Sequence, residues 1–387
     1  MHSRKIEEMT ELADLAWPRV LGQQHVKRTL MSSLSAGRLP HAYLFYGPEG
    51  VGKDATAIEL ARVLQCETVG EVPCDTCRSC EQMKRLQHPD VKLVCALPVG
   101  KGEKSDDAPL AKLSRDDLTV IQEEFGKKAL NPYHRISIPR ATIIKINSIR
   151  EIRRDAAMST TGRKKKIFII SRADEMGEEA ANTLLKTLEE PNPDTILILT
   201  TARRDALLPT ILSRCQNVRF DQLLSQEIQT GLEERLGVGK EHAMIVSRLA
   251  DGSFTKAVSL LEEDIEEMRS NVLSFIRGTL GQNVAARIKA VEDLASTRDR
   301  VKVSNFLSFM LVWFRDAMVL ENGGTIINID QQEDIKRFLQ NFPQADLARV
   351  IRDIESAISL LRRNVYITLI LLQLLFQMRE NILPTKD

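Results

Sequence analysis

Residues 42–65 read AYLFYGPEGVGKDATAIELARVLQ, and this stretch decides the fold. The apolar run AYLFY predicts a buried strand, the glycine-rich stretch predicts a loop, and ATAIELARVLQ predicts a helix. Strand, glycine-rich loop and helix in this order form the context in which a loop cradles phosphate. Gly47, Gly50 and Gly52 would let backbone N–H groups point inward, and Lys53 would reach the β- and γ-phosphates of a nucleotide.

The rest of the first half alternates between strand and helix patterns. Further apolar runs that predict buried strands lie at 91–97, 166–170, 195–201 and 217–220. Such alternation predicts an α/β fold whose parallel sheet is covered by helices on both faces. After residue 220 only helical patterns follow, which predicts a domain boundary near 221.

The segment 98–140 interrupts this alternation. It begins with PVGKGEKSDDAP, which is polar and carries two glycines. A stretch of this length without regular structure is unusual inside a compact domain. We therefore expect an insertion that is helical at 118–125 and mobile at 99–109.

The groups that an ATP-hydrolysing loop needs are replaced in this sequence. Asp54 stands where such a loop carries the Ser or Thr that binds Mg²⁺. Asp54 could itself bind a metal, but at ~4 Å and an effective dielectric constant near 20 it would repel a phosphate charge by about 4 kcal/mol. Ser171 and Arg172 follow the strand KIFII in place of the metal-binding and water-polarising acids, and Asp174 comes too late and is predicted to lie at a solvated helix start. We expect weak nucleotide binding or none, and no hydrolysis.

Four of the six cysteines form a cluster with the spacing of a metal site. Two overlapping C-x2-C pairs bring three thiolates within reach of one ion, and a cysteine at the end of the preceding helix supplies a fourth. Four sulfurs without an open position suit structural zinc, although an iron–sulfur cluster or free thiols stay open as alternatives. The predicted ligands are Cys66, Cys74, Cys77 and Cys80, whereas Cys95 and Cys215 are not expected to be ligands.

The composition is that of an ordinary soluble globular protein. Hydrophobic residues make up 43% and charged residues 28% of the chain, and the net charge is +1, so no overall basic field predicts nucleic-acid binding. The N-terminal residues do not resemble a signal peptide, and the longest apolar run, 367–376, is too short to cross a bilayer. We expect a cytoplasmic protein without a membrane segment and with reduced cysteines.

Several motifs together resemble bacterial clamp-loader subunits of the AAA+ class. They are VLGQQHVKRTL (20–30), HAYLFYGPEGVGK (41–53), the cysteine cluster, ANTLLKTLEEPNPD (181–194) and LLPTILSRCQ (207–216). The substituted phosphate loop and Ser171–Arg172 resemble the delta-prime subunits of DNA polymerase III. The resemblance covers residues 1–260 well and the remainder more loosely, through LVWFRDAM (311–318).

The resemblance implies a pentamer that opens a ring-shaped sliding clamp and places it on primed DNA, with ATP bound at subunit interfaces. Arg214, in the Ser-Arg-Cys motif, would act in trans on ATP bound by a neighbour; from spacing alone it is a surface arginine before a strand. Thr255 stands where family ATPases carry a nucleotide-sensing arginine. The implied partners are the gamma/tau ATPase and delta subunits, with the clamp contacted indirectly and primed DNA bound by the complex.

Together with the helical patterns after residue 220, the resemblance implies an AAA+ P-loop core at 1–220 with a zinc module at 66–80, a helical lid at 221–268 and an all-α collar at 269–387. The runs 305–314 and 364–378 are apolar on more than one face, which is typical of a large core or an oligomer interface. The predicted function is a non-hydrolysing clamp-loader subunit of the DNA polymerase III holoenzyme. An active P-loop ATPase subunit, or a subunit that binds nucleotide without cleaving it, stays open as an alternative.

Overall fold

The computed structural model describes residues 17–68, 72–158, 165–261, 264–296, 299–324, 326, 328, 331–362 and 365–383. The chain divides into two compact units, one made of residues 1–243 and 250–256, the other of residues 244–249 and 257–387. Residues 1–16 and 69–71, which belong to the predicted core and zinc module, lie outside the described residues. The predicted limits of core, lid and collar stay predictions.

A five-stranded parallel sheet lies at the centre of the first unit. Its strands are β1 (Ala42–Tyr46), β2 (Val91–Val94), β3 (Lys166–Ile170), β4 (Thr195–Thr201) and β5 (Gln216–Arg219), in the order β2-β3-β4-β1-β5. Every neighbouring pair is parallel. The carboxyl ends of all strands therefore meet at one edge of the sheet, which confirms the predicted parallel α/β fold.

Helices cover both faces of this sheet. The helices of the first unit are α1 (Gln24–Ser35), α2 (Lys53–Gln65), α3 (Arg78–Lys84), α4 (Arg115–Leu130), α5 (Ile146–Ala157), α6 (Glu178–Glu189), α7 (Pro209–Leu212) and α8 (Ser225–Leu236). Leu44 and Phe168 pack on one face with Ile149 of α5 and with Leu184 and Leu188 of α6. Side chains along a strand point alternately to the two faces of the sheet. The strand residues next to Leu44 and Phe168 therefore point to the other face, where α2 packs against β3 and β4.

The insertion 98–140 is more ordered than its composition suggests. Its helix α4 starts at residue 115 rather than 118 because Ser114 and Asp117 form a reciprocal capping box. The buried Lys145 ammonium donates to the carbonyls of Pro98 and Pro109 at 3.0 and 2.9 Å and pairs with Glu103 at 2.7 Å. These contacts tie the stretch 99–109, predicted to be mobile, to the start of α5.

All regular elements of the described chain after residue 220 are helices. Helices α9 (Lys240–Leu249) and α10 (Phe254–Leu261) are divided between the units, and the second unit continues with α11 (Ile265–Leu280), α12 (Val284–Ser296), α13 (Arg300–Glu321), α14 (Gln332–Asn341), α15 (Leu347–Arg362) and α16 (Ile367–Ile382). Among the described residues, α13 is the one helix long and apolar enough to cross a membrane, and 67% of its most apolar 18-residue stretch is buried. Such burial is typical of the core helix of a soluble protein.

Candidate functional site

The loop between β1 and α2 has the backbone that its glycines predict. Gly47, Gly50 and Gly52 have φ angles of +144°, +76° and +102°, a region that glycine adopts without strain. A Cβ atom on Gly47 would lie 2.2 Å from the Phe220 carbonyl oxygen. Glycine is therefore required at this position by the packing of the loop against the chain itself.

Lys53 is turned onto the carbonyl groups of its own loop. Its ammonium donates to the Gly47 carbonyl at 2.9 Å and also to the Pro48 carbonyl. The residue is 8% exposed, and burial lowers the pKa of Lys53 from 10.5 to about 8. The cation that would meet a nucleotide phosphate is thus already hydrogen-bonded within the loop.

Asp54 accepts three hydrogen bonds from side chains that converge on it. One oxygen, Oδ2, accepts from Lys128 Nζ at 2.9 Å and from Ser171 Oγ at 2.7 Å, and Oδ1 accepts from Thr200 Oγ1 at 2.7 Å. Burial alone would raise the pKa of Asp54, but the Lys128 charge and these hydrogen bonds outweigh it and hold the pKa well below its ordinary value. Asp54 is an ionised carboxylate whose counter-ion is a lysine of the insertion.

The register of the sheet explains why these hydroxyls meet. Ile170 of β3 lies opposite Leu199 of β4, so Ser171 and Thr200 follow side by side at the carboxyl edge. Arg172 turns away at φ +52°. Its guanidinium donates to the Ile136 carbonyl at 3.3 Å, within the insertion, and pairs with Glu175 at 3.1 Å.

The prediction that Asp174 lies at a solvated helix start is wrong. Asp174 is in a short 3₁₀ turn, Ala173–Glu175, that brings it back onto the end of β4. Its buried carboxylate accepts from Thr201 Oγ1 at 2.7 Å and from Arg203 Nε at 2.8 Å. These two partners satisfy the carboxylate without a metal ion.

Tyr133 of the insertion covers the same loop. Its hydroxyl accepts the Leu21 N–H at 2.8 Å, and a Cβ atom on Gly52 would lie 2.7 Å from that hydroxyl oxygen. Its ring meets Phe254 edge-on with centroids 4.9 Å apart. Its carbonyl accepts from the hydroxyl of Thr255, the residue predicted at the nucleotide-sensing position, at 2.7 Å.

The sequence motifs predict neither Lys128 nor Tyr133 as a site residue. Lys128 shares one face of α4 with the buried residues Ile121 and Glu124, so helical spacing could have predicted that it is buried. Its partner could not have been found in this way, since Lys128 and Asp54 are separated by 74 positions along the chain. Tyr133 carries no motif signal.

The four clustered cysteines meet at one point. The sulfur atoms of Cys66, Cys74, Cys77 and Cys80 all lie within 4.8 Å of one another, so they could hold a metal ion. Backbone N–H groups of the last three donate to the sulfurs of the first three at 3.2–3.4 Å. Hydrogen bonding, first of all from Thr68, lowers the pKa of Cys74 to about 5. Cys95 and Cys215 are buried elsewhere.

Arg214 lies at the opposite edge of the sheet from the phosphate loop. It precedes β5, whose first residue pairs with Tyr43 near the start of β1, whereas the loop follows the end of β1. Its side chain is 35% exposed, pairs with Glu189 at 2.9 Å and donates to the Thr210 carbonyl at 3.0 Å. The two edges are separated by the length of β1, about 13 Å.

Comparison with known proteins places the chain in a family. The profile of the family described as "DNA polymerase III, delta subunit" matches residues 22–224, and that of "DNA polymerase III, delta subunit, C terminal" matches residues 266–380. The chain belongs to the DNA polymerase III delta-subunit family.

Individual proteins similar to this chain include other DNA polymerase III subunits. DNA polymerase III subunit delta' of Bacillus subtilis is 28% identical over 363 residues, which are 92% of this chain and 96% of that protein. DNA polymerase III subunit tau of Escherichia coli is 26% identical over 323 residues, which are 80% of this chain but 43% of that protein. The chain thus spans nearly all of the delta' relative and less than half of the tau relative.

Solved structures with some similarity include two from Thermotoga maritima. A DNA polymerase III gamma subunit-related protein is 15% identical with a TM-score of 0.34, covering 91% of this chain and 99% of that chain. The RuvB Holliday junction branch migration motor is 14% identical with a TM-score of 0.38, covering 85% of this chain and 92% of that chain.

Proposed function

We propose that this protein is a non-hydrolysing subunit of the DNA polymerase III clamp loader, which places the sliding clamp on primed DNA during replication. One observation carries the non-hydrolysing part. The polar groups of its phosphate loop are bound by groups of the same chain: Lys53 by loop carbonyls, and Asp54 by Lys128, Ser171 and Thr200. Family membership supports the clamp-loader part.

Hydrolysis of ATP needs a metal ion bound to the phosphates and a group that orients the attacking water. Ser171 uses its hydroxyl on Asp54, and Arg172 points into the insertion. The nearest following acid, Asp174, is bound to Thr201 and Arg203. Each residue in the position of a catalytic group therefore has another partner, which supports weak nucleotide binding or none at Gly47, Gly50, Gly52 and Lys53.

Arg214 is proposed to act on ATP held by a neighbouring subunit. Its place at the amino edge of the sheet, about 13 Å from the loop edge, supports action in trans, because an arginine side chain does not reach across the sheet. Its guanidinium is exposed and is held by Glu189 and by Thr210. A planar guanidinium offers fixed, paired donors to the charge that develops on a transferred phosphate.

The four-cysteine cluster is proposed to hold a structural zinc ion. Four converging sulfurs leave no open position, and a closed tetrahedral sulfur site is the preferred environment of structural zinc. Cys66 is the C-cap of α2, so the ion would fasten the segment 72–77 to the helix that follows the phosphate loop. Asp75 in that segment also pairs with Arg62 of α2.

The proposed partners are the gamma/tau ATPase and delta subunits, in a cytoplasmic complex that meets the clamp and primed DNA. In the second unit, α16 buries one face but leaves Leu369 and Phe376 61% and 65% exposed. These residues are seven positions apart and share a face of the helix. An apolar face of this kind supports a collar in which helices of neighbouring subunits meet.

The arginine proposal is tested by Arg214→Ala in the reconstituted complex. We expect assembly to be unchanged, since the pair with Glu189 is exposed and contributes little to stability. Turnover at the neighbouring ATP site should fall by about 10³-fold or more. The total ATPase rate of the complex should then drop by the fraction that this site contributes, and clamp loading should drop with it. Arg214→Lys should not restore them, because lysine lacks the paired donors.

The matched control is Arg219→Ala, which removes an exposed arginine of β5 paired only loosely with Asp221 at 3.2 Å. This variant should keep wild-type ATPase. Wild-type turnover by the Arg214→Ala complex would show that the arginine has no role in trans.

The alternative, an active P-loop ATPase subunit, makes the opposite prediction for the isolated chain. Magnesium-dependent ATP turnover that Lys53→Ala abolishes would establish that alternative. We expect no turnover from either protein.

A further inference from the structure

Two buried side chains reach the phosphate loop from one short segment at the end of α4. Lys128 is 3% and Tyr133 is 4% exposed, although both belong to the polar insertion. Lys128 meets Asp54, and Tyr133 lies against Gly52 and the Leu21 N–H. Lysine is seldom buried to this extent without a specific counter-charge.

We propose that residues 128–134 are the resident ligand of this phosphate loop, and that Asp54, Ser171 and Thr200 form an ammonium site occupied by Lys128. The chemical class that the site takes is a primary alkylammonium ion. This inference deepens the proposed non-hydrolysing role, on which it rests for the identity of the loop as a former nucleotide site.

The donors and acceptors match this assignment. Asp54 supplies the negative charge, and its place in the first turn of α2 favours the ionised form through the helix dipole. The Thr200 hydroxyl donates to Oδ1 and the Ser171 hydroxyl to Oδ2, and Oδ2 also accepts a hydrogen bond from the Lys128 ammonium. A second hydrogen bond runs from Lys128 Nζ to the His134 carbonyl at 2.8 Å.

The segment is held in place from its outer side as well. The buried Glu124 of α4 contacts the His134 ring nitrogen Nε2 at 2.9 Å and accepts the Ser137 N–H at 2.8 Å. Both contacts close the chain back onto α4 directly after Tyr133. Lys128 and Tyr133 are therefore presented together, one by the helix and the other by the turn that follows it.

The occupied loop has a consequence for the complex. A nucleotide would have to displace Tyr133 and to face Asp54, whose charge is already matched by Lys128. The loop of this subunit should accordingly hold one conformation whether or not ATP is present, as a subunit that only supports its ATPase neighbours requires.

Chemical rescue of Lys128→Ala tests the ammonium site. Alanine keeps Cβ, and propylammonium replaces the three carbons and the ammonium group that are lost. We expect the variant to unfold at a temperature lower by about 5 °C or more, because an unpaired carboxylate is left behind. Propylammonium should recover much of this loss, propanol should not, and neither should change the wild type.

The control is Lys127→Ala on the same helix, which removes an exposed lysine that pairs with Glu124 at 2.8 Å. It should lose little stability and should not respond to propylammonium. If Lys128→Ala does not fold, the test uses the double variant Asp54→Asn with Lys128→Met, in which both charges are removed. That double variant should be more stable than either single change.

Three outcomes would overturn the assignment of the ammonium site. They are equal stability of the Lys128→Ala and Lys127→Ala proteins, equal rescue by propanol and by propylammonium, and strictly additive effects in the double variant. None of these outcomes bears on ATP turnover by the isolated wild-type chain or on Arg214 in the complex. A failure of this inference and a failure of the proposed function are therefore distinguishable.

Discussion

The lysine of the phosphate loop should reduce the stability of this protein, and Lys53→Met tests this. In the structure Lys53 is 8% exposed, and its ammonium donates to the carbonyls of Gly47 and Pro48. Methionine keeps the length and the apolar part of the side chain and removes the charge. In a loop that works with ATP the same change would remove the residue that meets the phosphates.

The magnitude follows from the pKa of Lys53, which burial lowers from 10.5 to about 8. Below about pH 8 both the folded and the unfolded protein carry the charge, and the folded state bears the full cost of burying it. Between about pH 8 and pH 10.5 the unfolded chain binds more protons than the folded one, so stability rises with pH. This change of about 2.5 units corresponds to about 3 kcal/mol.

Between about pH 7.5 and pH 10.5 the free energy of unfolding of the wild type should therefore rise by about 3 kcal/mol relative to that of Lys53→Met. Buried groups whose pKa is raised to about 12 act in the opposite direction, but they are common to both proteins and cancel in the difference. They are Tyr43, Tyr133, Cys95 and Cys215.

Urea unfolding followed by tryptophan fluorescence gives this difference. The chain has two tryptophans: Trp17 lies in the first unit and Trp313 in the second, so a Trp313→Phe background leaves Trp17 to report on the unit with the loop. A stability difference that stays constant across this pH range would refute the account of Lys53.

Two further predictions concern the surroundings of the loop. Freshly purified protein should hold a stoichiometric amount of zinc by elemental analysis, and absence of zinc would refute the metal assignment. Removing the metal with a chelator, or changing Cys77 to Ser, should release this zinc and make residues 72–84 sensitive to protease. Tyr133→Phe keeps the ring contact with Phe254 but leaves the Leu21 N–H without its acceptor, which should lower the free energy of unfolding by about 1–3 kcal/mol in the same urea assay. Unchanged stability of that variant would show that Tyr133 does not help to close the loop.

Local sequence predicted the sheet well because the strands are short, apolar and flanked by breakers. Strands β1, β3 and β4 begin and end at the predicted residues, whereas β2 ends at Val94 rather than at residue 97, and β5 is shifted by one residue. The cysteine cluster was predictable too, since its ligands are close along the chain. The helix of the insertion was predicted too short because the capping box at Ser114 was not recognised.

The chemistry around Asp54 was only half predictable. The sequence by itself determined that the loop lacks a hydroxyl and that Ser171 and Arg172 replace two acids. It also determined that Arg214 precedes a strand. Only the tertiary structure decided that Lys128 neutralises Asp54 and that Arg214 lies at the far edge of the sheet. The physical reason is that strand register and a long insertion bring together residues separated by up to 146 positions, as Asp54 and Thr200 are, and local spacing carries no record of such contacts.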